Sequence, residues 1–311
     1  MINREGNVMT KGEIFEKKIV PILSRISPRL CTKLLYKVRF KKSLDFNNPV
    51  TLNEKVLWLK FNTYKYNPIV KRCADKLSVR GYLKEHGFAN LLIELIAAYD
   101  EPHKIDWDSL PNSFAIKMNT GSGMNIIVKN KNELDIRKTQ ETITQWFKND
   151  FWTKRAELQY KNVKPYVLFE KNLSGKDGTL PEDYKFYCMN GKADSVMVCK
   201  ERNGKHHPKF FFLDRNWKLL PYTEEAIKYP NERIDKPSVI SEAFDLAEKL
   251  SDGFPFVRVD LFIIGDVIYF GELTFTPAAG LDTDFKFVPP GYSETTDMIL
   301  GKMLKLPGID Y

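Results

Sequence analysis

The segment R-V-D-L-F-I-I-G-D-V-I-Y-F-G-E-L-T-F-T-P, residues 258–277, constrains the fold more than any other part of this sequence. Val257, Val259, Leu261 and Ile263 alternate with Arg258, Asp260 and Phe262. Successive strand residues point to opposite faces, so one face is apolar and the other carries charge. A chain containing this hairpin must build an antiparallel sheet and cover one side of it with a core. Register then decides where the acids go. If Gly265, Asp266 and Val267 close the turn, Asp260 stands opposite Glu272, with Cβ atoms about 5 Å apart, and Arg258 opposite Thr274. Two hard oxygen donors so placed can share a Mg²⁺ held by nucleotide phosphates. Without a cation between them they would repel. If Gly265-Asp266 alone form the turn, the carboxylates fall on opposite faces, and pairing them requires a bulge. The plain alternative is a surface ion pair on an ordinary hairpin.

Other strands follow the same rule. Phe114–Met118 and Asn125–Val128 flank the loop Asn119-Thr120-Gly121-Ser122-Gly123, and Tyr166–Glu170 follows later. Tyr184–Cys188 and Ala193–Val198 are joined through Asn190-Gly191, a strong hairpin signal. Helical spacing appears at about 53–61, 71–86, 137–148 and 239–250, the second ending at Gly87. Residues 12–40 read as amphipathic, with Ile19, Ile22, Leu23, Ile26 and Leu30 on one face and Pro21 and Pro28 dividing the stretch. The class is α+β with mainly antiparallel pairing, since no run of βα units predicts a Rossmann sheet.

Charge is unevenly placed. Residues 1–43 hold eleven Lys/Arg and three Glu, which accounts for the whole net charge of +8 and leaves the remainder neutral. An anionic glycan, a membrane face or nucleic acid is the partner such a segment suits, or it is simply a solvated helical face. The neutral remainder gives no reason to expect DNA. The longest apolar stretch, 257–275, is broken by Arg258, Asp260, Asp266 and Glu272, so no membrane span is expected. The first residues carry charge early and lack an apolar run, so no signal peptide is expected either. Cys31, Cys73, Cys188 and Cys199 form no C-x-x-C pair, and a reducing cytoplasm suits them.

Lys117 lies within the apolar strand F-A-I-K-M, where an ammonium needs an anionic partner. Gly121, Ser122 and Gly123 behind it allow backbone N–H groups to approach phosphate oxygens. Neither a P-loop nor G-x-G-x-x-G is present. Lys185, between Tyr184 and Phe186, can face a nucleotide, and Arg202 can reach a nucleotide or an acidic substrate. Asp282-Thr283-Asp284 is a D-x-D, for which turn chemistry is preferred over a glycosyltransferase metal site. His206-His207 reads as an exposed loop and Phe210-Phe211-Phe212 as core.

Taken together and in this order, these segments resemble the ATP-grasp pattern, and more closely the TupA-like ATP-grasp family of bacterial polysaccharide clusters. The resemblance spans roughly residues 45–300 and is carried by T-L-N-E-K-V-L-W-L-K (51–60), A-D-K-L-S-V-R (74–80), F-A-I-K-M-N-T-G-S-G (114–123), D-Y-K-F-Y-C-M-N-G-K (183–192), F-V-R-V-D-L-F (256–262) and Y-F-G-E-L-T-F-T-P (269–277). It implies an ATP-grasp fold of two α+β lobes, 71–165 and 166–311, after a short basic helical region, 1–70. It also implies ATP and Mg²⁺ as cofactors. Lys117 resembles the phosphate-contacting lysine of the central lobe, and Lys76 the earlier nucleotide-site lysine. Glu170, Lys171 and the residues to Leu173 resemble the adenine hinge, and Asp183 the ribose-binding acid. Asp260 and Glu272 resemble the metal ligands, and Arg258 the cation at the reacting carboxyl. Thr274 stands where many ATP-grasp enzymes have a metal-binding Asn. The implied activity is ATP-dependent carboxylate–amine ligation through an acyl phosphate, joining an amino acid or amine to a uronic-acid-containing glycan. The implied location is the cytoplasm or the inner membrane face. A glycosyltransferase, a kinase using the same ATP site, and a non-catalytic basic glycan-binding module are the alternatives.

Overall fold

Alternating apolar segments close into two antiparallel sheets in the computed structural model, which describes residues 10–175, 179–201 and 208–309. The first sheet contains β1 (Leu95–Tyr99), β2 (Phe114–Met118), β3 (Asn125–Val128) and β4 (Val167–Lys171), in the order β1-β4-β2-β3. Phe114, Ile116, Met118, Val167 and Phe169 form its core with Ile143 of α7 (Ile136–Phe147), a helix capped by the Asp135 carboxylate. Lobe 166–311 was expected to begin with β4. The pairing places β4 between β1 and β2, so the chain leaves the first sheet only after Lys171.

The second sheet runs β10-β9-β5-β6-β7-β8. Its strands are β5 (Asp183–Met189), β6 (Lys192–Lys200), β7 (Lys209–Asp214), β8 (Leu219–Leu220), β9 (Phe256–Ile264) and β10 (Val267–Thr274). Asn190 and Gly191 both take positive φ, 52° and 78°, as a type I′ hairpin turn requires. Ala243, Phe244, Ala247 and Leu250 of α9 (Ile240–Leu250) bury one helical face on this sheet, Phe244 meeting Phe186 edge-on at 4.9 Å. Phe211 and Phe212 are fully buried. Two short helices, α8 (Glu224–Lys228) and α10 (Thr296–Met303), complete this half.

The amino-terminal layer consists of α1 (Lys11–Ile14), a π-turn (Phe15–Ile19), α2 (Val20–Ile26) and α3 (Pro28–Phe40), followed by α4 (Leu52–Asn62). A capping box between Thr51 and Glu54 starts α4. This helix faces two ways. Leu52, Val56 and Leu59 join the large core, while Leu57 and Phe61 join a small core under α2 and α3. The expected apolar face of 12–40 needs correction. Ile19, Ile22, Ile26 and Leu30 stand in solvent, and Val20, Cys31, Leu35 and Tyr36 point inward. The π-turn and the extended Ser27 interrupt the helix, so a single 3.6-residue phase does not run through the stretch. The predicted helix over 71–86 is also broken, into α5 (Pro68–Ala74) and α6 (Ser78–Glu85). Among the described residues no helix is long and apolar enough to cross a membrane.

Candidate active site

The hairpin of β9 and β10 combines the two alternatives left open by its sequence. Val267 pairs with Ile264, so Gly265 and Asp266 alone make the turn, with Gly265 at φ 59°. That register would put Asp260 and Glu272 on opposite faces. A bulge at Gly271 corrects it: Phe270 pairs with Leu261, but Glu272 pairs with Asp260 and Thr274 with Arg258. Only glycine fits there, because a Cβ would lie 2.8 Å from the Asp260 carbonyl oxygen. On the next strand Lys185 pairs with Asp260. Glu272, Asp260 and Lys185 therefore form a row across three adjacent strands.

The two acids do not repel as the sequence suggests, because cations separate them. Arg258 donates from Nε and Nη2 to the two Asp260 oxygens, each at 2.7 Å, and Lys185 Nζ donates to Asp260 Oδ2 at 2.8 Å. Lys185 also pairs with Asp183. Lys76 Nζ lies 3.2 Å from Glu272 Oε2 and Arg258 Nη2 3.6 Å from Glu272 Oε1. Burial pushes the Asp260 carboxyl above its usual range, with Arg258 and Lys185 opposing. Burial also acts upward on Glu272, but Lys76, Arg258 and Lys185 outweigh it and hold its carboxyl at about 2. Thr274 accepts from Arg258 at 3.3 Å and donates to Glu272 at 2.9 Å, so its hydroxyl orients the row.

Lys76 reaches this row because of the helix break. Asp75 is extended, and its carboxylate accepts from Leu77 N at 2.9 Å, Ser78 Oγ at 2.8 Å and Asn119 Nδ2 at 3.0 Å. The Lys76 N–H donates to Asn119 O, and its ammonium to Gly121 O at 2.7 Å. The anchor Asp75 was not anticipated; its cue is the D-x-x-S spacing before α6. Gly121 and Gly123 have φ of 77° and 75°, and a Cβ on Gly121 would lie 2.5 Å from the Phe151 ring. Lys117 finds its anion within the protein: Glu170, buried, accepts from Lys117 at 2.8 Å and pairs with Arg80 at 3.1 Å. The Glu170 side chain is thus engaged inside the first lobe, whereas Lys171, Asn172 and Leu173 line the neighbouring slot.

One cleft joins these groups. An apolar slot of about 500 Å³ between Ala115, Ile127, Leu173, Leu180 and Phe262 opens at Lys117 into a space of about 750 Å³. Lys76, Lys185, Asp260, Glu272 and the Gly121–Gly123 loop line that space. Past Glu272 lies a chamber of about 1020 Å³ with Lys154, Arg155, Glu157, Tyr160, Arg258 and Thr276 on its walls. Glu157 is buried and accepts from Thr276 Oγ1 at 3.1 Å. Burial raises its carboxyl, opposed by Lys60, whose ammonium is itself brought down to about 8 by burial. Ala156, Ala278 and Ala279 hold left-handed backbone at φ 53°, 47° and 61° around this chamber. Such strain is typical of functional sites. Sequence reasoning missed the chamber, since residues 151–160 form 3₁₀ turns without strand or helix periodicity.

Of the remaining candidates, Arg202 and His206-His207 lie outside the described residues. The Asp282 carboxylate accepts from the Asp284 N–H at 3.0 Å, so the D-x-D is a local turn. Among the described residues, no group of three or more His, Cys, Asp and Glu is arranged to hold a metal.

The family model described as TupA-like ATPgrasp matches residues 54–305, most of the chain. The chain belongs to this ATP-grasp family. Its two antiparallel sheets with flanking helices are the α+β ATP-grasp fold. Solved structures similar to it include the D-alanine–D-alanine ligase from Bacillus anthracis, at 16% identity and TM-score 0.41, covering 66% of this chain and 57% of that one. N5-carboxyaminoimidazole synthase from Aspergillus clavatus is similar at 14% identity and TM-score 0.41, over 67% and 46%. The ATP-grasp ligase PsnB in complex with a minimal precursor is similar at 11% identity and TM-score 0.39, over 75% and 62%. The chain spans less than two thirds of each of these structures, and the assignment rests on the family match. No curated protein matches.

Proposed function

We propose that this ATP-grasp protein binds MgATP in the cleft and is a carboxylate–amine ligase acting in the cytoplasm on an acidic sugar or glycan. The observation that carries this reading is the order of groups along one cleft: an apolar slot, three lysines with two carboxylates in register, then a basic chamber. The slot suits an adenine ring beside the backbone of Lys171–Leu173, and Asp183, on the wall of the adjoining space, suits the ribose. Lys76, Lys117 and Lys185, with the Gly121–Gly123 N–H groups, suit the phosphates. Asp260 and Glu272 offer Mg²⁺ two hard oxygen donors, and the lysines now paired with them would turn to the phosphates. When bound, MgATP supplies the phosphoryl group that converts a carboxylate into an acyl phosphate, from which an amine displaces phosphate.

The chain's own residues account for the rest. Arg258, on the chamber wall beside Glu272, orients the reacting carboxyl and balances charge on it. Lys154 and Arg155 present cations to the remainder of an acidic sugar. Glu157, held by Thr276 on the chamber wall, takes the proton that the attacking ammonium must lose. The test has two stages. MgATP should raise the melting temperature more than ATP in chelator, and a UDP-sugar should not. ADP and phosphate should then appear only when a uronic acid and an amino acid are both present. Stabilisation by the UDP-sugar alone would favour a glycosyltransferase, and ADP release without an amine a kinase.

A further inference from the structure

The amino-terminal helices carry an apolar row that the core does not use. Ile19, Ile22 and Ile26 follow one another at helical spacing and are 43, 57 and 76% exposed, and Leu30, just past the break at Ser27, is 49% exposed. The same helices turn another face inward, with Val20, Ser24, Cys31 and Leu35 almost fully buried. The layer therefore has two apolar faces, one more than its packing needs.

Cations flank the outward row. Lys18 precedes Ile22 by one turn and Arg25 follows it by three residues; Lys33 and Lys37 follow Leu30 along α3. The two acids of the described part of this layer, Glu13 and Glu16, are paired with Lys17 and Arg39, and Arg25 reaches Asp150. Lys18, Arg29, Lys33, Lys37, Lys41 and Lys42 are exposed and have no carboxylate partner among the described residues.

We propose that this face docks on an anionic lipid surface, the isoleucines entering the headgroup boundary and the lysines meeting lipid phosphates. Charge complementarity selects this occupant. A dissolved polyanion would leave the isoleucines without a role, and an apolar protein surface would leave the lysines unmatched, whereas a bilayer of anionic lipid satisfies both. The layer that carries this face packs against the chamber through its inward side, where Thr32 and Lys60 are buried. Arg25 bonds Asp150 beside Phe151, and Lys60 links Thr32 of α3 to the Arg155 carbonyl. The proposal does not depend on the ligase reading.

The test is sedimentation of the full chain with phosphatidylglycerol vesicles, compared with phosphatidylcholine vesicles. The protein should pellet with the first, remain largely in solution with the second, and be released by high salt. Two variants separate the contributions, Ile22→Asp with Ile26→Asp, and Lys18, Lys33, Lys37 and Lys42 each →Gln. All these side chains are exposed, so melting temperatures should match wild type. Each variant should lose affinity for phosphatidylglycerol by about tenfold or more. The proposal is overturned if the wild-type chain stays in solution with phosphatidylglycerol. It is equally overturned if the aspartates leave binding intact, or if their only effect is to dissolve a concentration-dependent dimer, which would give the face to a second copy.

Discussion

Replacing Asp260 by Asn should destabilise the protein even though it removes one of two facing carboxylates. From the sequence alone the opposite sign is expected, because two acids in register repel. In the structure Asp260 is almost fully buried and is the shared anion of Arg258 and Lys185. Asparagine keeps the size and one acceptor oxygen but leaves two largely enclosed cations, 13 and 14% exposed, short of one charge. Breaking a buried pair costs about 3–5 kcal/mol. Here the lower end applies, since Lys185 keeps Asp183 and Arg258 keeps Thr274 and the more distant Glu272. With about 2.1 cal/mol/K of unfolding entropy per residue, a chain of 311 residues shifts by about 1.5 °C per kcal/mol, so a loss of about 3 kcal/mol lowers the melting temperature by about 5 °C. Calorimetric or circular-dichroism melts of D260N in the absence of nucleotide measure this directly. Adding Arg258→Met should recover part of the loss, because the uncompensated charge is then gone. A D260N protein that melts at or above wild type would refute the argument and restore the repulsion account.

Glu272→Gln should cost less than Asp260→Asn, because its carboxylate is 32% exposed against 3% for Asp260 and its pairing is screened by solvent. Its folded carboxyl sits at about 2 against an ordinary 4.5, so this contribution is present above 4.5 and disappears as pH falls toward 2, where melts of variant and wild type should converge. Asp297 has the reverse sign, raised by burial to about 6 from 3.8. Its stability contribution is full below 3.8 and lost as pH rises through 6, so Asp297→Asn should flatten the melt-versus-pH curve across that window; an unchanged slope would contradict the assignment. Gly271→Ala forces a Cβ to 2.8 Å from the Asp260 carbonyl oxygen and should lower the urea midpoint by the equivalent of about 1–3 kcal/mol while weakening stabilisation by MgATP. A variant unchanged in both would show the bulge is dispensable.

Much of the fold was readable because its strands obey one simple period. Phe114–Met118 and Asn125–Val128 have the bounds expected of them, the charged and apolar residues of 257–263 alternate along β9, and Asn190-Gly191 turns as its backbone preference requires. What could not be read were the interruptions. Gly271 is compatible with a strand interior as well as a bulge, and the turn at Gly265-Asp266 does not say which. Val70, Cys73 and Ala74 continue in helical phase toward Val79, which hides the break that Asp75 makes by bonding ahead to Leu77 and Ser78. The chamber residues Lys154, Arg155 and Glu157 come from short 3₁₀ turns whose placement depends on packing against α2 and Phe151, contacts with no local signature. Alternation identifies which face of a strand is charged, but not what arrives opposite it from elsewhere in the chain.

These interruptions are what make the site a closed electrostatic unit. Without the bulge, Glu272 would leave the row; without the break at Asp75, Lys76 would remain on a helix rather than bridge Gly121 and Glu272. With both, Lys76, Lys185 and Arg258 face Asp183, Asp260 and Glu272, three charges of each sign. Lys117 and Arg80 around Glu170 add a single positive excess from the first lobe. A site so nearly neutral has little net attraction for a free polyphosphate, because every lysine that turns to a phosphate strips a carboxylate of its partner. Asp260 and Glu272 would then be left to a divalent cation bound with the nucleotide, whose charge would offset that loss. On the proposed reading, therefore, the dependence on Mg²⁺ follows from the resting charge balance as much as from the two ligands themselves.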